Sequence, residues 1–460
     1  MSEEYRTEHD SMGPVNVPSL ALYGAQTQRA LNNFTISTEP MPEAFIRALL
    51  IIKLAAAKTN LDLNLLSPER ADAIITSVTT LLEDGLGDHF PVPVYQTGSG
   101  TSTNMNINEV ISSLAARQGT EVSPNDHVNM GQSSNDVIPS ALCIATALTI
   151  KNRTIVSLSS LATLIRRKAK EHRAVIKTGR THLMDALPIR LSHELESWAC
   201  LIDDSVSRLQ ETLCRLSQLP LGGTAIGSGV NCHPAFSECI ISILSQHYNF
   251  QFSVMKSKYK GISSIDNPLE ASGQLKTAAC CLMKIANDLR WMNSGPLAGL
   301  HEISLPSLQP GSSIMPDKIN PVIPEAVCMA AAQVIGNDTT ITIAAQSGNF
   351  QLNTMLPITA ARLIESAQLI GGSAEILGEK AIRDMQVQGE EMQSPLARNP
   401  ILVTALTPHV GYMKAAAIAK KARKEGKTIL EVAAEETDLP YETLVKLLDP
   451  ENLADGIFNS

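Results

Sequence analysis

The chain has 460 residues, of which 44% are hydrophobic, 18% charged and 4% aromatic, with a formal net charge of −9. That length exceeds what one core usually holds and predicts two or three domains, packed as helices through Leu, Ile and Ala because aromatics are scarce. The acidic balance argues against a nucleic-acid surface, for which a basic stripe is expected; the densest basic cluster, Arg166 to Arg173, closes a helical pattern and suits a helix C-terminus.

Residues 1 to 40 read as an extended arm of turns, because Gly13-Pro14 and Pro18 oppose helix. The acidic start Met-Ser-Glu-Glu-Tyr-Arg-Thr-Glu has no apolar core, so neither a secretory signal nor a transit peptide is expected. The most apolar windows are interrupted by Lys53, or by Pro324 and Glu325, so no membrane span is expected.

Ser67-Pro68-Glu69 predicts an N-cap, a proline at the first helical position and an acidic first turn. Ile74, Ile75, Val78, Leu81 and Leu82 then form one apolar stripe that Gly85 stops. Long helices are predicted over 136–165, over 191–216 with a seam of Leu191, Leu195, Trp198, Ile202, Val206, Leu209, Leu213 and Leu216, and over 268–293, 321–346 and 356–388. Five such helices predict a bundle. Short helices over 411–424, 428–437 and 440–448 follow a composition shift near Gly389 to Pro400. The expected organisation is an N-terminal helical domain (1–135), a central five-helix bundle (136–389) and a small C-terminal helical domain (390–460).

Eight cysteines lie between residues 143 and 328 with no Cys-x-x-Cys and no histidine pair at ligand spacing, so neither a metal site nor a disulfide framework is expected. Cys280 and Cys281 read as buried thiols, and a reducing cytoplasm fits best.

Four polar segments interrupt the helices. The first, Thr97-Gly98-Ser99-Gly100-Thr101-Ser102-Thr103-Asn104-Met105-Asn106, competes with a phosphate cradle but lacks the Lys-Ser/Thr pair of a P-loop. Its hydroxyls and backbone N–H groups suit a carboxylate. In the second, Gln132-Ser133-Ser134-Asn135-Asp136, helix capping alone accounts for one acceptor but not for both serines. The third, Gly179-Arg180-Thr181-His182-Leu183-Met184-Asp185, sets a histidine between a hydroxyl and an acid. The fourth is Gly311-Ser312-Ser313-Ile314-Met315-Pro316-Asp317-Lys318-Ile319-Asn320-Pro321, with Glu325 at the start of the helix that follows.

Together these segments supply many short donors and one lysine, a cradle for a small dicarboxylate and no organic cofactor. Taking a proton from carbon beside a carboxylate makes a dianionic aci-carboxylate, whose charge Lys318, Asn320 and backbone donors would neutralise. Ser312 as base requires its alkoxide to be stabilised by converging N–H groups near an ammonium. His182 would position or protonate the leaving water if a carboxylate such as Glu325 orients it.

The motif Gly-Ser-Ser-x-Met-Pro-x-Lys-x-Asn-Pro resembles the signature of the fumarase/aspartase superfamily, and Tyr23 to Arg29 resembles a run near the start of its members. The likeness extends from about Tyr5 to the end and is strongest to class II fumarases. It implies a mainly α, three-domain fumarase/aspartase-like fold with a central long-helix bundle, and reversible hydration of fumarate to malate in the tricarboxylic acid cycle. It also implies a homotetramer with each site shared between subunits. By that likeness Ser312 is the base, His182 with Glu325 handles water, and Ser99, Thr101, Ser133, Ser134, Asn135, Thr181, Lys318 and Asn320 bind substrate.

Aspartate ammonia-lyase is the competing activity. Ser99, Ser134 and His182 look fumarase-like, whereas Pro321-Val322-Ile323-Pro324 and Ile335 to Thr340 look more like aspartase. A non-catalytic structural or binding member is the alternative of another class. Asp317 departs from the Gly or Ala usual at its position, Ser123 and Thr120 depart from an accessory carboxylate site, and Lys256 to Asn267 departs without a functional reading.

Overall fold

Helix predominates in the computed structural model, which describes residues 4–456. The outermost residues of the first and third expected domains, 1–3 and 457–460, lie outside the described residues. The long elements fall where periodicity predicts them: Ser134–Thr149 continued through a π-helical turn by Ile155–Glu171, then Leu191–Leu216, Asp266–Met292, Val322–Gln346 and Leu356–Leu377, except that the last, expected to reach 388, gives way to a π-helical turn at Gly378–Ile382 and to the strand Gln386–Val387. The C-terminal helices Tyr412–Glu425, Ile429–Glu436 and Tyr441–Leu447 match within two residues.

Two compact units emerge from the contact pattern. One comprises Met1–Val156, Ser205–Ala279 and Ala330–Gly371, the other Ser157–Asp204, Cys280–Met329 and Gly372–Ser460.

In the first unit the helix Glu43–Asp62 packs against Pro68–Asp84 and Ser134–Thr149. Phe45, Leu49, Leu50 and Ile52 are buried, each worth about 2 kcal/mol relative to exposure. Pro68–Asp84 begins after Ser67 and ends at Gly85, whose φ of 93° a side chain would resist. Ser67 occupies the N-cap position, but its side chain makes no capping bond. Ile74, Val78 and Leu81 are buried, while Ile75 and Leu82 lie at the margin of the stripe.

The arm holds more structure than its turn residues predict. Tyr5–Asp10 pairs antiparallel with Gly13–Pro18, and Ala25–Asn33 is helical. Local reasoning misses this helix because its cap is remote. Gly24 at the N-cap offers no side chain, and Glu109 instead accepts from the N–H groups of Gly24, Gln26 and Thr27 and from the Thr27 hydroxyl.

In the second unit Ile176–Thr181 and Met184–Arg190 form a hairpin, and Ile303–Ser304 pairs with Gln386–Val387. The C-terminal helices close a core of Leu406, Val432, Leu444 and neighbours, started by a Thr428–Glu431 capping box.

One expectation needs refining and one needs correction. Among the described residues one helix, Ser134–Glu171, is long and apolar enough to cross a membrane, with mean hydropathy 1.2 in a window that is 56% buried inside the protein. Asp136, Lys151 and Arg153 still interrupt it, and a mostly buried helix of a folded core meets the same criterion, so this helix does not indicate a membrane span. None of the eight cysteines forms a disulfide, but Cys280 is exposed and Cys281 no more than half-buried, because the inward face of their helix is taken by Ala278, Ala279 and Leu282.

Candidate active site

In the first unit two helix N-termini carry the first two polar segments. Thr101 begins the helix Thr101–Arg117 behind Gly100, whose φ of 74° reaches the left-handed region. Gly100 supplies no capping side chain, and Gln96 Oε1 accepts from the Thr103 N–H at 3.0 Å, which leaves the N–H groups of Thr101 and Ser102 to face an anion. Ser99 Oγ lies 2.9 Å from Thr101 Oγ1. The approach to this turn admits only glycine at 98, since a Cβ there would stand 1.6 Å from the Thr354 carbonyl oxygen.

The second segment is partly spent on structure. Ser133 is the N-cap of Ser134–Thr149 and forms a capping box with Asp136. Asn135 Nδ2 donates to the Ala225 carbonyl at 2.8 Å, and Asn104 Nδ2 donates to Ser134 Oγ at 3.0 Å. The last contact ties the first two segments together, so Ser99, Thr101, Ser133, Ser134 and Asn135 share one unit.

Beneath them lies a buried polar layer. Lys53 is fully buried and donates to Asn129 Oδ1 and Gln132 Oε1, both at 3.0 Å. Asn129 Oδ1 also accepts from Asn104 Nδ2 at 3.2 Å. Burial pushes the Lys53 ammonium down to about 7, against the attraction of Asp136. Burial likewise raises the Asp136 carboxyl to about 6, opposed by hydrogen bonds from the Ser133, Thr224 and Gly222 N–H groups and by Lys53.

The second unit holds the remaining site residues. Thr181 and His182 sit at the exposed tip of the hairpin, where His182 (φ 56°) and Leu183 (φ 61°) form a two-residue turn with both residues left-handed. Such turns favour Asn-Gly, so this pair is held against its own preference.

In the signature loop Ser312 Oγ accepts from the N–H of Met315 at 3.0 Å and of Ile314 at 3.3 Å. Converging donors of this kind stabilise negative charge on that oxygen. Asn320 Nδ2 donates to the Gly311 carbonyl and closes the loop. Lys318, Asn320 and Glu325 line a cleft of about 840 Å³ with Trp291, His301 and Ser304. Ser312 belongs to the same loop but does not line the cleft, and neither do Thr181 and His182. Among the described residues no hydrogen bond or ion pair joins His182 to Glu325 within the chain.

Comparison with known proteins decides the family. A profile described as "Lyase" matches residues 13–336, and one described as "Fumarase C C-terminus" matches 402–455. Fumarate hydratase class II 2 of Pseudomonas aeruginosa is 54% identical over 98% of this chain and 99% of its own length. The chain belongs to the class II fumarase family.

Fumarate hydratase class II of Xylella fastidiosa (strain Temecula1) is 52% identical over 99% of this chain and 96% of its own. A class II fumarase from Schistosoma mansoni superposes with a TM-score of 0.96 at 36% identity, covering 99% of this chain and 100% of its own. A fumarate lyase:delta crystallin from Brucella melitensis follows at 0.93 and 40%, covering 98% and 100%. The fold is thus the fumarase/aspartase fold that the signature loop implies.

Against this family frame, sequence reasoning missed His301, which lines the cleft, Lys53 and Asn129 beneath the first two segments, and Glu302, which accepts from Lys177 and Arg180 of the hairpin. Lys53 left one signal, a lysine inside an otherwise apolar helix. Glu302 left none.

Proposed function

We propose that the chain is a fumarate hydratase, a hydro-lyase that interconverts malate and fumarate. The observation that carries this reading is the Ser312 hydroxyl under two converging N–H groups, in a loop whose Lys318 and Asn320 line a cleft with Glu325. In the dehydrating direction the Ser312 alkoxide takes a proton from the carbon beside one carboxylate. The electron pair enters that carboxylate as an aci-carboxylate, neutralised by Lys318 and Asn320. The pair then returns to form the double bond as hydroxide leaves the neighbouring carbon from the opposite face, accepting a proton by way of His182 oriented by Glu325. Ser99, Thr101, Ser133, Ser134, Asn135 and Thr181 hold the carboxylates.

The assembly in this reading is a homotetramer with sites shared between subunits. Leu183 (65% exposed), Met184 (70%), Leu297 (98%) and Ile314 (84%) support it, since apolar side chains this open in one chain suit burial against another copy. The reading also keeps the three-segment organisation and a place in the cytoplasm and the tricarboxylic acid cycle, to which eight cysteines without a disulfide are suited.

The test follows ultraviolet absorbance of the fumarate double bond after adding malate or aspartate, with Ser312→Ala as control. Growth with malate, reduced about 10²- to 10⁴-fold in kcat by the substitution, is expected. Growth with aspartate alone would transfer the chain to the ammonia-lyases. Light scattering reports the tetramer.

A further inference from the structure

The hairpin that presents Thr181 and His182 changes register along its length. From Ile176 to Thr178 its residues pair with Arg190 to Pro188, but Arg180 pairs with Asp185 and Thr181 with Met184. Two residues, Ala186 and Leu187, therefore stand opposite Gly179 alone, which makes a β-bulge. Had the first register continued, Arg180 would face Ala186 and Thr181 would face Asp185. The tip would then be a three-residue loop, free of the left-handed His182-Leu183 turn.

One carboxylate grips this hairpin on both sides of the register change. Glu302 Oε2 accepts from Lys177 Nζ at 2.6 Å and Glu302 Oε1 from Arg180 Nη1 at 2.7 Å. Residues 177 and 180 point to opposite faces in a flat strand; the added twist of a bulge lets both side chains reach the same group. Glu302 and Lys177 are almost fully buried, Glu194 completes the network with a 2.8 Å bond to Lys177, and Gly179 comes so near Leu187 that a Cβ would stand 2.7 Å from its carbonyl oxygen. Glu302 is itself fixed by main-chain bonds from its N–H to Met292 and from Gln388 to its carbonyl.

We infer that Glu302 is a positioning residue: by gripping Lys177 and Arg180 across the bulge it selects the register that sets Thr181 and His182 at the hairpin tip. The inference rests on the proposed roles of those two residues. Without the grip the hairpin relaxes toward the regular register, and the imidazole moves although every catalytic side chain remains present.

Three variants of the full-length chain test this: Glu302→Gln, Arg180→Gln and His182→Asn, with Arg180→Lys as the conservative control. Displacement of a reacting group by about 1 Å costs up to about 100-fold, so Glu302→Gln and Arg180→Gln are expected to lower kcat about 10- to 100-fold with KM changed less than about threefold. Arg180→Lys should recover most of the loss. Glu302→Gln combined with His182→Asn should be no slower than His182→Asn alone, a non-additivity that general weakening of the fold does not produce. Hydrogen exchange should quicken in 176–190 in both single variants.

An unchanged kcat in Arg180→Gln, or a Glu302→Gln loss that multiplies in full onto His182→Asn, would overturn the inference. Arg180 is partly exposed, so its variants serve even if Glu302→Gln does not fold. Full activity in His182→Asn would instead remove His182 from the proposed mechanism. The exchange measurement would then decide alone: unchanged exchange in 176–190 refutes the grip, and faster exchange retains it.

Discussion

Asp317 offers a quantitative test of how the signature loop handles charge. It adopts φ 68° beside Lys318, and both residues line the cleft. Asp317→Asn keeps a side chain that tolerates the left-handed region and removes the charge, whereas Asp317→Gly also removes the steric constraint. A dianion held by Lys318 would lie about 7 Å from the Asp317 carboxylate, a repulsion of about 1 kcal/mol at the dielectric of water, falling to about 0.5 kcal/mol with physiological screening. KM for fumarate should therefore fall about 2- to 7-fold in Asp317→Asn, with the larger gain at low salt.

Stability separates the second contribution. Asp317→Gly relieves about 1 kcal/mol of backbone strain but loosens the unfolded chain by a similar amount, leaving little net change. Asp317→Ala keeps the strain without the polar side chain's local bonding and should lose about 1 kcal/mol in urea unfolding. A KM for Asp317→Asn that equals the parent value at low salt, or does not vary with salt, would refute the electrostatic reasoning.

Other expectations follow from the buried layer and the first loop. Gly98→Ala forces a Cβ against the Thr354 backbone and should cost about 3 kcal/mol, read by chemical denaturation. Lys53 has a folded-state value near 7 against its ordinary 10.5, so between those pH values the unfolded chain holds a proton the folded chain lacks and stability rises with pH. Lys53→Met should flatten that rise in denaturation curves taken from pH 7 to 10. Asp136→Asn replaces an acceptor of three backbone N–H groups with an amide that offers only one acceptor oxygen, and should cost about 2–3 kcal/mol by the same measurement.

The helices were legible because their signals are local. Pro68 starts a helix and Gly85 ends it within a stripe that repeats every three or four residues. The signature loop was legible because its donors and its lysine lie within a few residues of one another. What escaped depends on partners far along the chain. The helix Ala25–Asn33 borrows its cap from Glu109, and the hairpin register depends on Glu302, 122 residues from Arg180. Asp317 shows an intermediate case: its position beside Lys318 was readable, but only the backbone reveals that a residue other than glycine bears a left-handed conformation there.

The Glu109 carboxylate also sets an order in time. Gly24 leaves the ribosome 85 residues ahead of the acceptor that will hold it. At roughly 5–20 residues per second, that is a wait of about 4 to 17 s. Throughout that interval the amides of Gly24, Gln26 and Thr27 have no carboxylate to meet, and the segment remains open to nascent-chain-binding factors and to proteases. Protection of Tyr23 to Arg29 therefore cannot begin before Glu109 has been made, which dates the closure of this segment to a late stage of synthesis relative to its own position in the chain.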